Sequence, residues 1–237
     1  MLGYNSLSFP RPASMNILAL DTSTEYCSVA LWRDGALCEQ GAPAGQTHSE
    51  ILLGMVDSVL TEGGVRLEAL DGIAYGQGPG SFTGLRIACA VAQGLAYSFG
   101  IPLVGIGTLH AMAAACGAGR VLCCLDARMQ EVYHAAYVRS DDGYVEVSAP
   151  RVCAPEAVPG VAGDAWTGCG SGFAVYGDVL RQRYGAALAV VDGSVHPHAG
   201  DMARLAVPVL LAGGGVAAED AAPLYIRDKV ALKTVER

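Results

Sequence analysis

The stretch ILALDTSTEYCSVALWRDG, residues 17–35, decides the fold when it is set beside LCCLDARMQEVYHAAYVRSDDG, residues 122–143. Both begin with a short, mostly apolar run that ends in aspartate, Asp21 in the first and Asp126 in the second, followed by a small residue. Both continue into a second β-type run and reach an Asp-Gly turn, at Asp34-Gly35 and at Asp142-Gly143. Asp-Gly between two such runs is a hairpin signal, because the tight turn demands positive φ. The distance from aspartate to turn differs by three residues between the copies, so residue identity is weak while the order of elements is kept. The alternative is a chance match of two β-rich segments. The reading taken is a duplicated βββα-type unit, which predicts an α/β protein of two lobes.

The remaining elements fit around these two stretches. Residues 49–60 carry Ile51, Leu52, Met55, Val56, Val59 and Leu60 at helical spacing, and Gly63-Gly64 ends the run. A strand is expected over 73–75 and a helix over 82–99 with Ser81 as its N-cap, followed by a strand over 103–106 and a helix over 108–116. Further on, 165–170 and 187–191 read as strands and 173–184 as a helix. Residues 201–211 read as a helix made irregular by Pro208, and 222–227 as extended chain. The domain division is then 15–107 for the first lobe and 108–237 for the second, with the late helix free to return to the first lobe. Residues 1–14 lack periodicity and read as a tag or upstream extension.

Composition removes several functions. The chain has 237 residues, 52% of them hydrophobic and 16% charged, which predicts a folded core. Its net charge is −8 and its lysines are Lys229 and Lys233 alone, so it has no electrostatic footprint for gripping a phosphate backbone by itself. The eight cysteines form no C-x-x-C pair, which points away from zinc and disulfides and towards a reducing, cytoplasmic setting. Residues 87–119 hold no Asp, Glu, Lys or Arg, but Gln93, Ser98, Gly100, Pro102, Gly105 and Gly107 cut the stretch into helix, strand and helix rather than a membrane span.

GQGPGSFTGLR, residues 76–86, is the densest glycine loop and raises the question of phosphate. A P-loop needs Gly-Lys-Ser/Thr at its end, and here Gly84 is followed by Leu85 and Arg86. The dinucleotide fingerprint fails as well, because its third glycine falls on Ser81 or Thr83. Two readings stay open: a turn that only sets the strand-to-helix crossing, and an anion contact at the helix N-terminus. Beyond the loop, Gly84, Ala88, Ala92 and Ala96 recur every four residues and make one smooth helical face. Such a face serves either close approach by another helix or plain core burial.

The chain resembles the TsaB (YeaZ) family of the tRNA threonylcarbamoyladenosine pathway. The resemblance is carried by ILALDTST at 17–24, HSE at 48–50, GPGSFTGLR at 78–86 and PLYIR at 223–227, with DARMQEVY at 126–133 fitting the family's second Asp motif. It runs from Met15 to about Lys233. It implies two RNase H-like lobes of the actin-like ATPase (actin/Hsp70/sugar-kinase) superfamily, with mixed sheets flanked by helices. It also implies a role without a catalytic centre. TsaB-like proteins pair with a paralogue, TsaD, which carries the metal and transfers threonylcarbamoyl to the adenosine next to the anticodon of tRNAs reading ANN codons. An ATPase, TsaE, joins that pair, and tRNA is met only through the complex. Alone, such a chain is open to homodimerisation.

The metal-bearing relative uses histidines at i and i+4, and His48, His110, His134, His196 and His198 include no such pair. His196 and His198 read as a surface pair flanking Pro197, and His48 as a helix-orienting or solvated residue. No catalytic or metal residue is therefore assigned. Asp21 is the candidate for contact with a nucleotide, and a nucleotide is expected only at a partner boundary. Asp126 is read as a turn cap. TGCGSG, residues 167–172, resembles an adenosine-site loop but has no phosphate motif beside it. The expected partner face comprises Ile51, Leu52, Met55, Val56, Phe82, Leu85, Ala88, Ala92 and Leu95. The alternatives are a small-molecule kinase or ATPase of the same superfamily and, behind it, a metallopeptidase.

Overall fold

The structure, a computed structural model, describes residues 15–227. Residues 1–14, read above as an extension, lie outside the described part, as do residues 228–237.

Strand β1 (Asn16–Asp21) pairs antiparallel with β2 (Tyr26–Arg33), which turns through Asp34-Gly35 into antiparallel β3 (Ala36–Pro43). Asp34 and Gly35 take φ of 51° and 94°, the two left-handed positions that a two-residue hairpin requires. Helix α1 (His48–Gly63) crosses the sheet, and β4 (Gly72–Gly78) then lies parallel to β1 on its other side. Helix α2 (Phe82–Tyr97) returns the chain to β5 (Leu103–Gly107), parallel to β4. The sheet order is β3-β2-β1-β4-β5.

After α3 (Thr108–Cys116) the plan repeats. Strands β6 (Arg120–Asp126), β7 (Val132–Ser140) and β8 (Gly143–Cys153) form the antiparallel meander. Strand β9 (Trp166–Cys169) lies parallel to β6, α4 (Ser171–Tyr184) crosses back, and β10 (Leu188–Asp192) lies parallel to β9. The order β10-β9-β6-β7-β8 is the first sheet's order strand for strand. The duplication inferred from the two aspartate segments is present in the topology, and it makes an α/β fold of two mixed-sheet lobes. The copies differ in one respect: between β8 and β9 there is only a 3-10 turn, Pro155–Ala157, where the first lobe has α1.

Both faces of each central strand are covered, as its near-continuous apolar sequence requires. On β1, Leu18 and Leu20 face α1 and α2, while Ile17 and Ala19 face α5 (Ala199–Leu211). On β6, Leu122 and Cys124 face α4, while Val121, Cys123 and Leu125 face α3. The helix that follows each lobe's last strand thus packs under the other lobe's sheet. Pro208 sits in the last turn of α5 without ending it, since Ala212 N–H still donates to its carbonyl at 3.1 Å.

Candidate functional site

The two strand-end aspartates lie where the lobes meet, in different states. Asp21 is fully buried. Its Oδ1 accepts from Ser23 N–H at 3.2 Å and its Oδ2 from the Ser23 hydroxyl at 3.0 Å. Oδ1 occupies the space where a side chain at position 76 would begin, so Gly76 is required there, and Met202 of α5 packs beside it. Burial raises the carboxyl to about pKa 7 against the lowering effect of the Ser23 bonds. The carboxylate proposed for nucleotide contact is therefore sealed beneath α5. Asp126 is a turn cap: Oδ1 accepts from Arg128 N–H at 2.9 Å and Oδ2 from the Arg128 guanidinium at 3.0 Å. Arg128 also reaches Glu25 of the first lobe at 2.8 Å.

The glycine loop at 76–86 embraces its own chain. Ser81 N–H donates to Ser23 O at 2.8 Å, and the Thr22 hydroxyl donates to Gly84 O at 2.6 Å. A Cβ at Gly80 or Gly84 would strike the backbone oxygens of Ser23 and Thr22. Ser81 caps the helix as expected, its hydroxyl accepting from Gly84 N–H at 3.3 Å. The second lobe repeats the device: Gly170, at φ 96°, and Gly172 leave room for Cys124, and the Ser171 hydroxyl accepts from Asp126 N–H at 3.1 Å. In each lobe the loop after the fourth strand wraps the end of the first. That accounts for both glycine motifs as packing, including the TGCGSG stretch.

The α1–α2 pair forms the outer face of the first lobe, and here the expected partner residues divide. Phe82 is 45% exposed, while Ile51, Met55 and Leu95 are half-buried at the edge of the core. Leu52, Val56, Leu85, Ala88 and Ala92 are corrected: each is buried within this chain. The Gly84–Ala88–Ala92–Ala96 stripe turns inward because the end of β1, held by Thr22 to Gly84, leaves no room for larger residues. The surface that does face outward was missed. It comprises Leu53, 55% exposed, and Tyr97, 75% exposed, with Gly54 of α1 and Ala90 and Gly94 of α2. Among the described residues nothing lies within 4 Å of where a Cβ on Gly54 or Gly94 would be. The signal that could have found this face was its polar company, since Thr83, Arg86, Ala90 and Gly94 follow one another at intervals of three or four. A groove of about 680 Å³ opens beside Leu53, between the C-terminal half of α1, the turn at 66–68 and Leu95.

Comparison with known proteins places this architecture. The family model described as "TsaD: tRNA N6-adenosine threonylcarbamoyltransferase" matches residues 42–232. The "tRNA threonylcarbamoyladenosine biosynthesis protein TsaB" of Escherichia coli strain K12 is 40% identical over 92% of this chain and 97% of that protein. The chain belongs to the TsaB (YeaZ) family. The Haemophilus influenzae protein of the same name is 36% identical over 93% of this chain and 97% of its own length. A solved structure, YeaZ from Pseudomonas aeruginosa, superposes with a TM-score of 0.80 at 40% identity, covering 89% of this chain and 99% of that one.

In this TsaB-family chain the histidines are scattered. His48 opens α1 and is buried, and among the described residues its Nε2 has no partner. His110 stacks on Tyr137 with centroids 5.3 Å apart. His134 is fully buried, 2.7 Å from the Tyr184 hydroxyl, and burial lowers it to about pKa 4. His196 and His198, expected as a surface pair, are half-buried against the Tyr26 ring, each 5.4 Å from its centroid. They line the crossing into α5, where the Ser28 hydroxyl accepts from Ala199 N–H at 2.9 Å and Glu39 from Gly200 N–H at 3.1 Å. Among the described residues no group of three or more His, Cys, Asp or Glu side chains is placed to hold a metal ion. None of the described helices is long and apolar enough to cross a membrane.

Proposed function

We propose that this chain is a non-catalytic scaffold and activating subunit of the assembly that places threonylcarbamoyl on the adenosine beside the tRNA anticodon. It acts by docking its α1–α2 face on a TsaD-type paralogue, and the pair recruits a TsaE-type ATPase. The observation that carries the reading is the pair of exposed mid-helix glycines, Gly54 and Gly94. Glycine inside a helix costs about 1 kcal/mol relative to alanine. Neither glycine is needed by packing among the described residues, where both look into open space. Close approach by another helix gives them a purpose.

The occupant follows from the family match. The TsaD family model spans both helices, so a paralogue presents the same helix pair, and like can pack on like about a near-two-fold axis. Charge favours the paralogue over a second copy. Helix α1 bears Glu50, Asp57 and Glu62 and no lysine or arginine, so self-pairing sets acidic rims against each other. The sealed Asp21 carboxyl supports the absence of nucleotide chemistry in the chain alone, and a nucleotide is assigned to the partner boundary.

The test is reconstitution. The TsaD-type paralogue is mixed with tRNA and threonylcarbamoyl-adenylate, with and without this chain. Transfer should require both proteins, and sedimentation should show a one-to-one complex at micromolar concentration. Turnover of ATP or of the adenylate by this chain alone, or failure to form the complex, would refute the scaffold reading.

A further inference from the structure

The PLYIR segment is not needed for the proposed docking, yet it and the chain leading into it are fastened at several points. Val216 exchanges both backbone hydrogen bonds with Leu103, each 2.9 Å. The Gln93 amide donates to Ala218 O at 2.9 Å and Ala221 O at 3.1 Å. The Tyr75 hydroxyl and the Gln77 amide both donate to Ala222 O, at 3.2 and 3.1 Å, and Leu224 N–H donates to Gln77 O at 2.7 Å. Arg86 Nε donates to the Tyr225 hydroxyl at 2.8 Å while its guanidinium lies 3.7 Å from the Phe82 ring centre. Gly78, at φ 126°, leaves the room this segment needs, since Leu224 O lies 2.6 Å from where its Cβ would be.

All of these contacts are with the first lobe. The next is not: Arg227 forms an ion pair with Glu131 of the second lobe, and its guanidinium also lies 3.6 Å from Met129 Sδ and 5.9 Å from the centre of the Tyr133 ring. Glu131 closes the β6–β7 turn, where Arg128, Met129 and Gln130 have φ of 60°, 54° and 60°. Three consecutive non-glycine residues in the left-handed region cost free energy and persist only where surrounding structure imposes them. The first lobe grips this turn at both ends, through Glu25 on Arg128 and through the fastened tail on Glu131.

We propose that residues 222–227 are an interlobe strap: fixed to β4 and α2 of one lobe, they clamp the strained β6–β7 turn of the other and so hold the lobes at one angle. Release of Arg227 from Glu131 lets the turn relax and the tail lift from Gln77. The Arg227–Glu131 pair is the sensitive point because it is shielded, with Arg227 only 16% exposed, whereas the Arg128–Glu25 pair lies in solvent and is screened.

Amide hydrogen exchange on the full-length protein tests this without any partner. Arg227→Gln and Glu131→Gln should each speed exchange at Leu224 and across 127–131 by about tenfold or more, with α4 unchanged. The control Arg66→Gln, which removes an exposed pair with Glu68, should change none of these amides. Raising sodium chloride from about 0.05 M to about 1 M on the wild type should leave these amides within twofold, because the shielded pair is little screened, and a tenfold loosening in salt would overturn the assignment to that pair. The strap is overturned if exchange at both places stays within twofold of wild type in both variants. It is equally overturned if Leu224 loosens while 127–131 does not, since the tail then trims one lobe without tying two.

Discussion

Replacing Gly94 by glutamine should make the isolated protein more stable and its complex weaker. Gly94 lies inside the sixteen-residue helix α2, and among the described residues a Cβ there meets nothing within 4 Å. Glutamine is close to alanine in helix propensity and glycine is not, so the free chain gains roughly 0.5–1 kcal/mol. For a chain of this size that raises Tm by about 2–4 °C per kcal/mol. In the proposed complex the same side chain would lie between two helices packed at about 8–10 Å, where overpacking costs about 1–3 kcal/mol. That penalty weakens the affinity roughly 5- to 150-fold. Thermal melts of the free protein and calorimetric titration with the TsaD-type paralogue read both halves, and Gly54→Gln should behave alike. A lower Tm would mean that Gly94 is packed within this chain. A higher Tm with unchanged affinity would mean that the α1–α2 face does not dock.

Ala88→Leu or Ala92→Leu should do the reverse, costing about 1–3 kcal/mol of stability through overpacking of the lobe's own core, read by denaturant titration; undiminished stability contradicts the inward stripe. Asp21 carries a pH signature. Its carboxyl rises from 3.8 to about 7 on folding, so between those values the folded state keeps a proton that the unfolded chain has lost, and stability falls as pH rises through that window. Asp21→Asn should therefore gain on the wild type from about pH 4 to about pH 7, and parallel stability curves would contradict the burial argument. Tyr184→Phe leaves His134 Nε2 buried without its 2.7 Å partner and should cost about 1–3 kcal/mol; a loss below a few tenths would show that the bond is immaterial.

The duplication was legible because it is written in local signals: an apolar run stopped by aspartate, then Asp-Gly. Those signals depend on turn chemistry and strand burial, which neighbours in sequence determine. The direction a helix faces is different, because distant residues decide it. Helix α2 carries two small-residue stripes, Gly84–Ala88–Ala92–Ala96 and Ala90–Gly94, and nothing local says which meets the sheet. The answer lies in Thr22, sixty-two residues before Gly84, whose hydroxyl ties the first stripe to the end of β1. The glycine loop shows the same limit. Its failure to match phosphate fingerprints was readable, but what fills it, the turn at Thr22-Ser23 and the tail at Leu224, comes from the opposite ends of the chain. His196 and His198 flank a proline as surface residues would, and only the position of Tyr26 in space draws them inward.

Helix α5 covers the lobe to which it is not sequentially attached, while α3 sits at the junction and packs beneath the second sheet, and this governs how the molecule can be dissected. A fragment ended after β5 would bare the Ile17 and Ala19 side of its sheet, whose cover, α5, lies beyond the second sheet in sequence. A fragment started at β6 would lack α3 beneath Val121 and Cys123. The first lobe therefore completes its core only once α5 has emerged from the ribosome, whereas a second half that begins at Thr108 keeps α3.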